Sequence, residues 1–306
     1  MQKMIYLAET DSERDCPLQG VLTLRPSDPG RETALEAAEI IFGNPSIDEL
    51  HLAKALRWVQ MTWAGADRYL GGNFPRNVCL TTASGAFGET IAEHTLAMLL
   101  ALCRRLPAYI RAGEWHDLGC EKQLCGGTAI IFGCGDLGTR LAQRLKALGV
   151  NTIGVCRNAR QHREGFDVLT TLECAEIFLP EADFVLCMLP HSAQTAGYFN
   201  AARIGLLKQD AIFINVGRGS LADADALALA LSAGRLFGVG LDVTAPEPLP
   251  QTHPLWTLPN AIITPHIAGV SFGHLLQTEE KIWAICQENF ARYQRGEELI
   301  NEVKLS

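Results

Sequence analysis

An apolar run, Ala129-Ile130-Ile131-Phe132, passes directly into Gly133-Cys134-Gly135-Asp136-Leu137-Gly138, and few folds can use such a junction. Beyond it, Leu141, Leu145 and Leu148 continue from Leu137 at helical spacing. Strand, glycine turn and helix in that order are the setting in which G-x-G-x-x-G binds a dinucleotide. Gly133 would permit the tight turn, Gly135 would let backbone N–H groups approach a pyrophosphate, and Gly138 would let helix and strand pack closely. Asp136 and Leu137 open the helix, whose first N–H groups would face the phosphates.

The rest of the chain carries the alternation on which such a loop depends. β-like runs at Thr128–Phe132, Thr152–Val155, Asp183–Leu189, Ala211–Val216, Phe237–Val243 and Ala261–Thr264 are interspersed with helical patterns at Leu137–Leu148 and Ala224–Arg235. Six strands so arranged predict one doubly wound domain with a parallel sheet. Earlier runs at Met4–Ala8, Ala38–Phe42, Trp58–Met61 and Val78–Thr81 predict a second sheet. Glu89 to about Arg105 reads as an amphipathic helix with Ile91, Thr95, Met98, Leu99 and Leu102 on one side. Leu275 to about Arg295 is helical with no strand left to pair with, so it is expected to return to the first domain. The expectation is therefore an α/β chain of two Rossmann- or flavodoxin-like domains with parallel sheets, residues 1–87 with 276–306 and residues 88–275. The stretch after Thr10 is short and irregular, which leaves the earliest strand order open.

Length and charge bear on partners. The 306 residues suit two domains at about 150 residues each. A net charge of −8 argues against nucleic acid and requires a local positive site for any anionic ligand. Uncharged stretches such as Phe184–Ala202 are broken by Pro, His, Gln and Asn, so no membrane span is expected. Glu9, Asp11 and Glu13 interrupt the N-terminal run before a signal peptide could form, which points to a cytoplasmic protein. The ten cysteines form no C-x-x-C pair and read as small buried hydrophobes in a reducing compartment. The eight histidines show neither H-E-x-x-H nor zinc spacing, so no metal is expected.

About 18 residues after Gly138 the second strand ends in Cys156-Arg157-Asn158-Ala159-Arg160. An NAD site would place Asp or Glu there for the ribose 2′-hydroxyl. Cys156, with Arg157, Asn158 and Arg160 beside it, suits the 2′-phosphate of NADP(H), with NAD(H) admitted as second choice. Three more stretches fall at or just beyond strand ends of the same domain: Asn215-Val216-Gly217-Arg218-Gly219-Ser220, Leu241-Asp242-Val243-Thr244-Ala245-Pro246-Glu247-Pro248-Leu249, and Thr264-Pro265-His266-Ile267-Ala268-Gly269. Singly, each has a bland structural reading. Together, after a nucleotide loop, Arg218, Glu247 and His266 supply a cation, a carboxylate and an imidazole.

Those motifs in that order, with His253-Pro254-Leu255-Trp256 and Glu89-Thr90-Ile91-Ala92-Glu93-His94, make the chain resemble D-isomer-specific 2-hydroxyacid dehydrogenases, especially the glyoxylate/hydroxypyruvate reductase branch. The resemblance implies reduction of a small 2-oxo acid in an interdomain cleft, by a homodimer paired through the Glu89–Arg105 helix. It implies His266 as proton donor, which an imidazole can be near neutral pH. Glu247 would orient the ring, and Arg218 would hold carboxylate and carbonyl oxygens in one planar fork. Ala64 and Gly65 would receive the substrate carboxylate on their backbone N–H groups. Cofactor contacts would extend to Thr90, Leu189, Pro190, Thr195, Val216, Gly217, Asp242, His266 and Gly269. Another 2-oxo acid, formate or phosphite dehydrogenase on the same scaffold remains open, as does a nucleotide-gated binding protein. The complete Arg218, Glu247 and His266 set argues against the last.

Overall fold

Among the described residues every ladder between strands is parallel, with one isolated antiparallel bridge, Thr81 to Glu302. The computed structural model describes residues 3–70, 72–270 and 272–304. Its first sheet comprises β1 (Met4–Leu7), β2 (Leu22–Leu24), β3 (Ile40–Gly43), β4 (Trp58–Gln60) and β5 (Cys79–Thr81), in the order β2-β1-β3-β4-β5. That is the flavodoxin-like order. The second sheet comprises β6 (Thr128–Phe132), β7 (Asn151–Val155), β8 (Val168–Thr170), β9 (Phe184–Cys187), β10 (Ala211–Asn215), β11 (Leu236–Leu241) and β12 (Ala261–Ile263), ordered β12-β11-β10-β9-β6-β7-β8. The strand order switches sides between β6 and β9, with β7 and β8 added on one side and β10 to β12 on the other, and ligands of doubly wound sheets gather at the carboxyl ends of the strands around such a point.

The central strands read as apolar runs because both faces of a parallel sheet are covered. Every residue of β9 and β10 is buried. Two strands were not expected. Both β2 and β8 are three-residue edge strands, too short for a period-two pattern to register, and β8 makes the second sheet seven-stranded rather than six.

The chain divides into two units, Met1–Phe87 with Val270–Ser306, and Gly88–Gly269. The second crossing thus falls at Val270, earlier than the expected 276. In the first unit the helix Leu276–Arg295 belongs with the five-stranded sheet: Trp58 stacks on Tyr293, and Asn289 donates to the Gln60 side-chain oxygen at 2.7 Å.

Helix Asp136–Ala147 buries Gly138, Leu141, Ala142 and Leu145, whereas Leu148 lies beyond its end and is 41% exposed. The apolar face is therefore rotated toward small residues, which allow the helix to lie close to the sheet. Helix Gly88–Cys103 buries Ala92, Thr95, Met98, Leu99 and Leu102, with Ile91 only partly covered. All ten cysteines are free thiols, but Cys120, Cys125 and Cys174 are exposed, so burial holds for only some of them. Among the described residues, no helix is long and apolar enough to cross a membrane.

Candidate active site and cofactor loop

Each glycine of the loop has its own reason. Gly133 has φ +112°, a conformation that side chains rarely adopt, and its N–H donates to the Val155 carbonyl at 3.0 Å. A Cβ on Gly138 would lie 1.8 Å from the Gly133 carbonyl oxygen, so the helix meets the turn without room for a methyl group. A Cβ on Gly135 would touch nothing. Gly135 caps helix Asp136–Ala147, and only there does the loop keep open space over helix N–H groups. This arrangement fits a nucleotide pyrophosphate.

Asp136 Oδ1 accepts from Arg140 Nε at 2.7 Å, and Arg140 and Arg144 both pair with Glu89. The Arg144 hydrogen bond, with both guanidinium charges, holds the Glu89 carboxyl below the usual carboxylate range. Leu137 is half-buried beneath the loop. Burial, with Cys156 as neighbour, pushes the Cys134 thiol up to about 12. Its Sγ points to the Val155 carbonyl, and the residue acts as a packing group.

At the end of β7 the segment turns on itself. The Asn158 side-chain oxygen accepts the Arg160 N–H at 3.1 Å, and the Cys156 thiol donates to the Asn158 carbonyl at 3.3 Å. Arg157 and Arg160 are exposed, with no carboxylate in ion-pair range among the described residues.

The other three motif segments are contiguous at the carboxyl ends of β9 to β12. A Cβ on Gly217 would lie 2.6 Å from the Leu189 carbonyl oxygen, and one on Gly219 would lie 1.9 Å from the Thr244 carbonyl oxygen. These near-contacts set the Arg218 turn between the Leu189–Pro190 segment and the segment leading to Glu247. Buried Asn215 shapes that turn, accepting the Gly217 N–H at 3.0 Å and donating to the Arg218 carbonyl at 2.9 Å. Val216 is buried and Pro190 exposed. Arg218 Nη1 donates to the Gly217 carbonyl at 2.8 Å.

His266 Nδ1 lies 2.8 Å from Glu247 Oε1, with the two side chains 50% and 43% exposed. This leaves Nε2 as the ring nitrogen for a ligand. His266 has φ +55°, and its N–H donates to the Asp242 carbonyl at 2.8 Å. Asp242 holds the rest of that turn: its carboxylate accepts from Thr264 Oγ1 at 2.6 Å, Ile267 N at 2.9 Å and Ala268 N at 3.0 Å. A carboxylate has about four acceptor sites, and three of those of Asp242 are used inside the turn that carries His266. Its geometry makes it a support for His266. Thr195 is similarly committed, bonding Ser192 N and the Pro190 carbonyl at 2.9 Å each.

Sequence reading missed two contributors here. Asn215 sat unremarked inside a quoted motif, although a buried Asn before a glycine turn is a signal worth weighing. His94, from helix Gly88–Cys103, places Nε2 3.2 Å from Thr264 Oγ1 and 3.8 Å from Asp242 Oδ1, a link that local spacing cannot reveal. Thr90 occupies the first turn of the same helix, and Gly269 is the last residue of this unit. Ala64 and Gly65 belong to the first unit, between β4 and the 3-10 turn Asp67–Tyr69; Ala64 is exposed and Gly65 half-buried.

Residues 96–268 match the family described as "D-isomer specific 2-hydroxyacid dehydrogenase, NAD binding domain". The human glyoxylate reductase/hydroxypyruvate reductase is 32% identical over 224 residues, 71% of this chain and 67% of that protein. Among solved structures, a D-isomer specific 2-hydroxyacid dehydrogenase family protein from Aeromonas salmonicida superposes with TM-score 0.87 at 31% identity over the whole of both chains. An NADPH-dependent glyoxylate/hydroxypyruvate reductase from Sinorhizobium meliloti, determined with NADP and sulfate, superposes with TM-score 0.83 at 26% identity, covering 99% of this chain and 98% of that one.

Proposed function

The chain belongs to the D-isomer specific 2-hydroxyacid dehydrogenase family, and on that premise we propose that it is an NADP(H)-preferring reductase of small 2-oxo acids of the glyoxylate or hydroxypyruvate type. The observation that carries this reading is the 2.8 Å His266–Glu247 pair, set on segments that adjoin the Arg218 turn and the glycine loop's own sheet.

When bound, a reduced nicotinamide supplies the hydride for the substrate carbonyl carbon. The chain's residues do the rest. Arg218 holds the substrate carboxylate and polarises the carbonyl, since its rigid fork can engage two oxygens at once. His266 gives a proton from Nε2 to the developing alkoxide. Glu247 accepts from Nδ1–H, fixes the ring orientation, and offsets the charge of the imidazolium before transfer. The Asp242 and Thr264 carbonyls accept the His266 N–H and hold its backbone turn, and His94 contacts the side chains of both.

Preference for NADP(H) is supported by Cys156 where an NAD enzyme would carry an acid, and by Arg157 and Arg160 without carboxylate partners among the described residues. The test is consumption of NADPH and of NADH with glyoxylate, hydroxypyruvate, pyruvate and bulkier 2-oxo acids. We expect turnover of the small acids with NADPH favoured. Measurable NADPH binding without turnover of any 2-oxo acid would refute the reading.

A further inference from the structure

Three residues beyond Arg160, Arg163 stands in a different setting. It is half-buried, and its Nη1 donates to the Cys134 carbonyl inside the glycine loop at 2.7 Å. Its Nε is screened from solvent without a hydrogen-bond partner, and no carboxylate lies in ion-pair range among the described residues. Beside it opens a cavity of about 380 Å³, lined also by Cys134, Gly135, Asp136, Thr139 and Gln143, with the Asp136 carboxylate ion-paired to Arg140. The other cation lining the cavity, Arg140, is committed to Asp136 and Glu89.

A screened guanidinium donor without an acceptor is costly and calls for one. The Cys134 carbonyl fixes the plane of the guanidinium from the Nη1 side. The edge bearing Nε and Nη2 makes no hydrogen bond among the described residues, and two N–H groups in that fork match two oxygens of a phosphate once the side chain turns its screened Nε toward the cavity. The same bond ties the 157–163 segment to the glycine loop.

We propose that Arg163 is a further determinant of cofactor choice, reading the 2′-phosphate of NADP(H) together with Arg157 and Arg160 while anchoring their segment to the glycine loop. The proposal rests on the NADP(H) reading above, and its test separates the two.

Calorimetric titration of the whole protein with 2′,5′-ADP and with 5′-AMP isolates the 2′-phosphate from the nicotinamide and from turnover. We expect the wild type to bind 2′,5′-ADP about tenfold or more tightly than 5′-AMP, and Arg163→Gln to lose most of that ratio while binding 5′-AMP within about twofold of wild type. Arg163→Lys, which keeps the charge without the fork, should recover part of the ratio. An unchanged ratio in Arg163→Gln would overturn the proposal. So would an equal loss for both ligands, which would make Arg163 a brace for the loop alone. A wild type with no advantage for 2′,5′-ADP would defeat the NADP(H) reading itself, and this proposal with it.

Discussion

His266 Nδ1 lies 2.8 Å from Glu247 Oε1, and the backbone that presents the ring is left-handed, with φ +55°. A non-glycine residue in that region is uncommon and is kept there by its surroundings. Here the surroundings are the Asp242 carbonyl, which accepts the His266 N–H, and the Asp242 carboxylate, which accepts the two N–H groups that follow. Ring and backbone are thus oriented by different acids.

Removal of the imidazole should stop proton donation without disturbing the nucleotide loop. His266→Ala is expected to lower turnover of 2-oxo acids by about 10²- to 10⁴-fold with NADPH affinity retained. Glu247→Gln, which keeps an oxygen acceptor but loses the charge, should fall between it and wild type. Steady-state NADPH consumption and fluorescence titration check both, and near-wild-type turnover in His266→Ala would contradict the assignment.

Two loop glycines should respond oppositely to one methyl group. At Gly138 the added Cβ would meet the Gly133 carbonyl oxygen at 1.8 Å, so Gly138→Ala should destabilise the cofactor domain by about 1–3 kcal/mol or more. At Gly135 it would meet nothing, so Gly135→Ala should melt like wild type yet bind nucleotide about tenfold less tightly. Thermal melts followed by circular dichroism, with NADPH titrations, distinguish them.

Cofactor choice should reverse with one charge. Cys156→Asp places a carboxylate at the end of β7 beside Arg157 and Arg160, where it would repel a 2′-phosphate and could accept a ribose hydroxyl. The ratio of kcat/KM for NADPH over NADH should fall by about tenfold or more. An unaltered ratio would remove this segment from the cofactor site.

Asp242→Asn replaces one acceptor oxygen by a donor facing backbone N–H groups or the Thr264 hydroxyl. The loss should be about 1–3 kcal/mol per unmet bond, felt locally in the turn after β12. Faster amide hydrogen exchange at Ile267 and Ala268, together with lowered kcat, is the expected pair of results. Lowered kcat with unchanged exchange would argue for direct ligand contact by Asp242.

Asp183 gives the fold an acid-side dependence. Burial raises its carboxyl pKa, but this is outweighed by hydrogen bonds from Lys208 and the Thr128 N–H and by the charges of Lys208 and Lys122, so the net shift is downward. A carboxyl whose folded pKa is depressed stabilises the fold fully above its unfolded value, about 3.9, and loses that contribution as pH falls through the folded value. Asp183→Asn should therefore be less stable than wild type near neutral pH, with the gap closing in strong acid. Denaturant melts across that range test the sign, and a constant gap would exclude the linkage.

Much of the cofactor domain is legible in the chain because its signals are local. β6, β9 and β10 are short apolar runs bounded by turn residues and buried on both sheet faces, and the three glycines differ in role according to their order in one turn. Arg218, Glu247 and His266 are likewise recognisable by type and order. The short edge strands β2 and β8 are not, since three residues carry too little periodicity to separate strand from loop.

What the sequence by itself determined is the succession of the longer strands, the glycine turn and the kinds of side chain delivered to the strand ends, all properties of neighbours in the chain. Only the tertiary structure decided which groups hold those side chains in place. His94 reaches Thr264 across 170 residues, Asp242 reaches Ala268 across 26, and Arg163 reaches back 29 residues to the Cys134 carbonyl. The reason is physical: periodicity records which face of an element is apolar, whereas a hydrogen bond depends on where two folded segments bring their polar atoms within about 3 Å of each other.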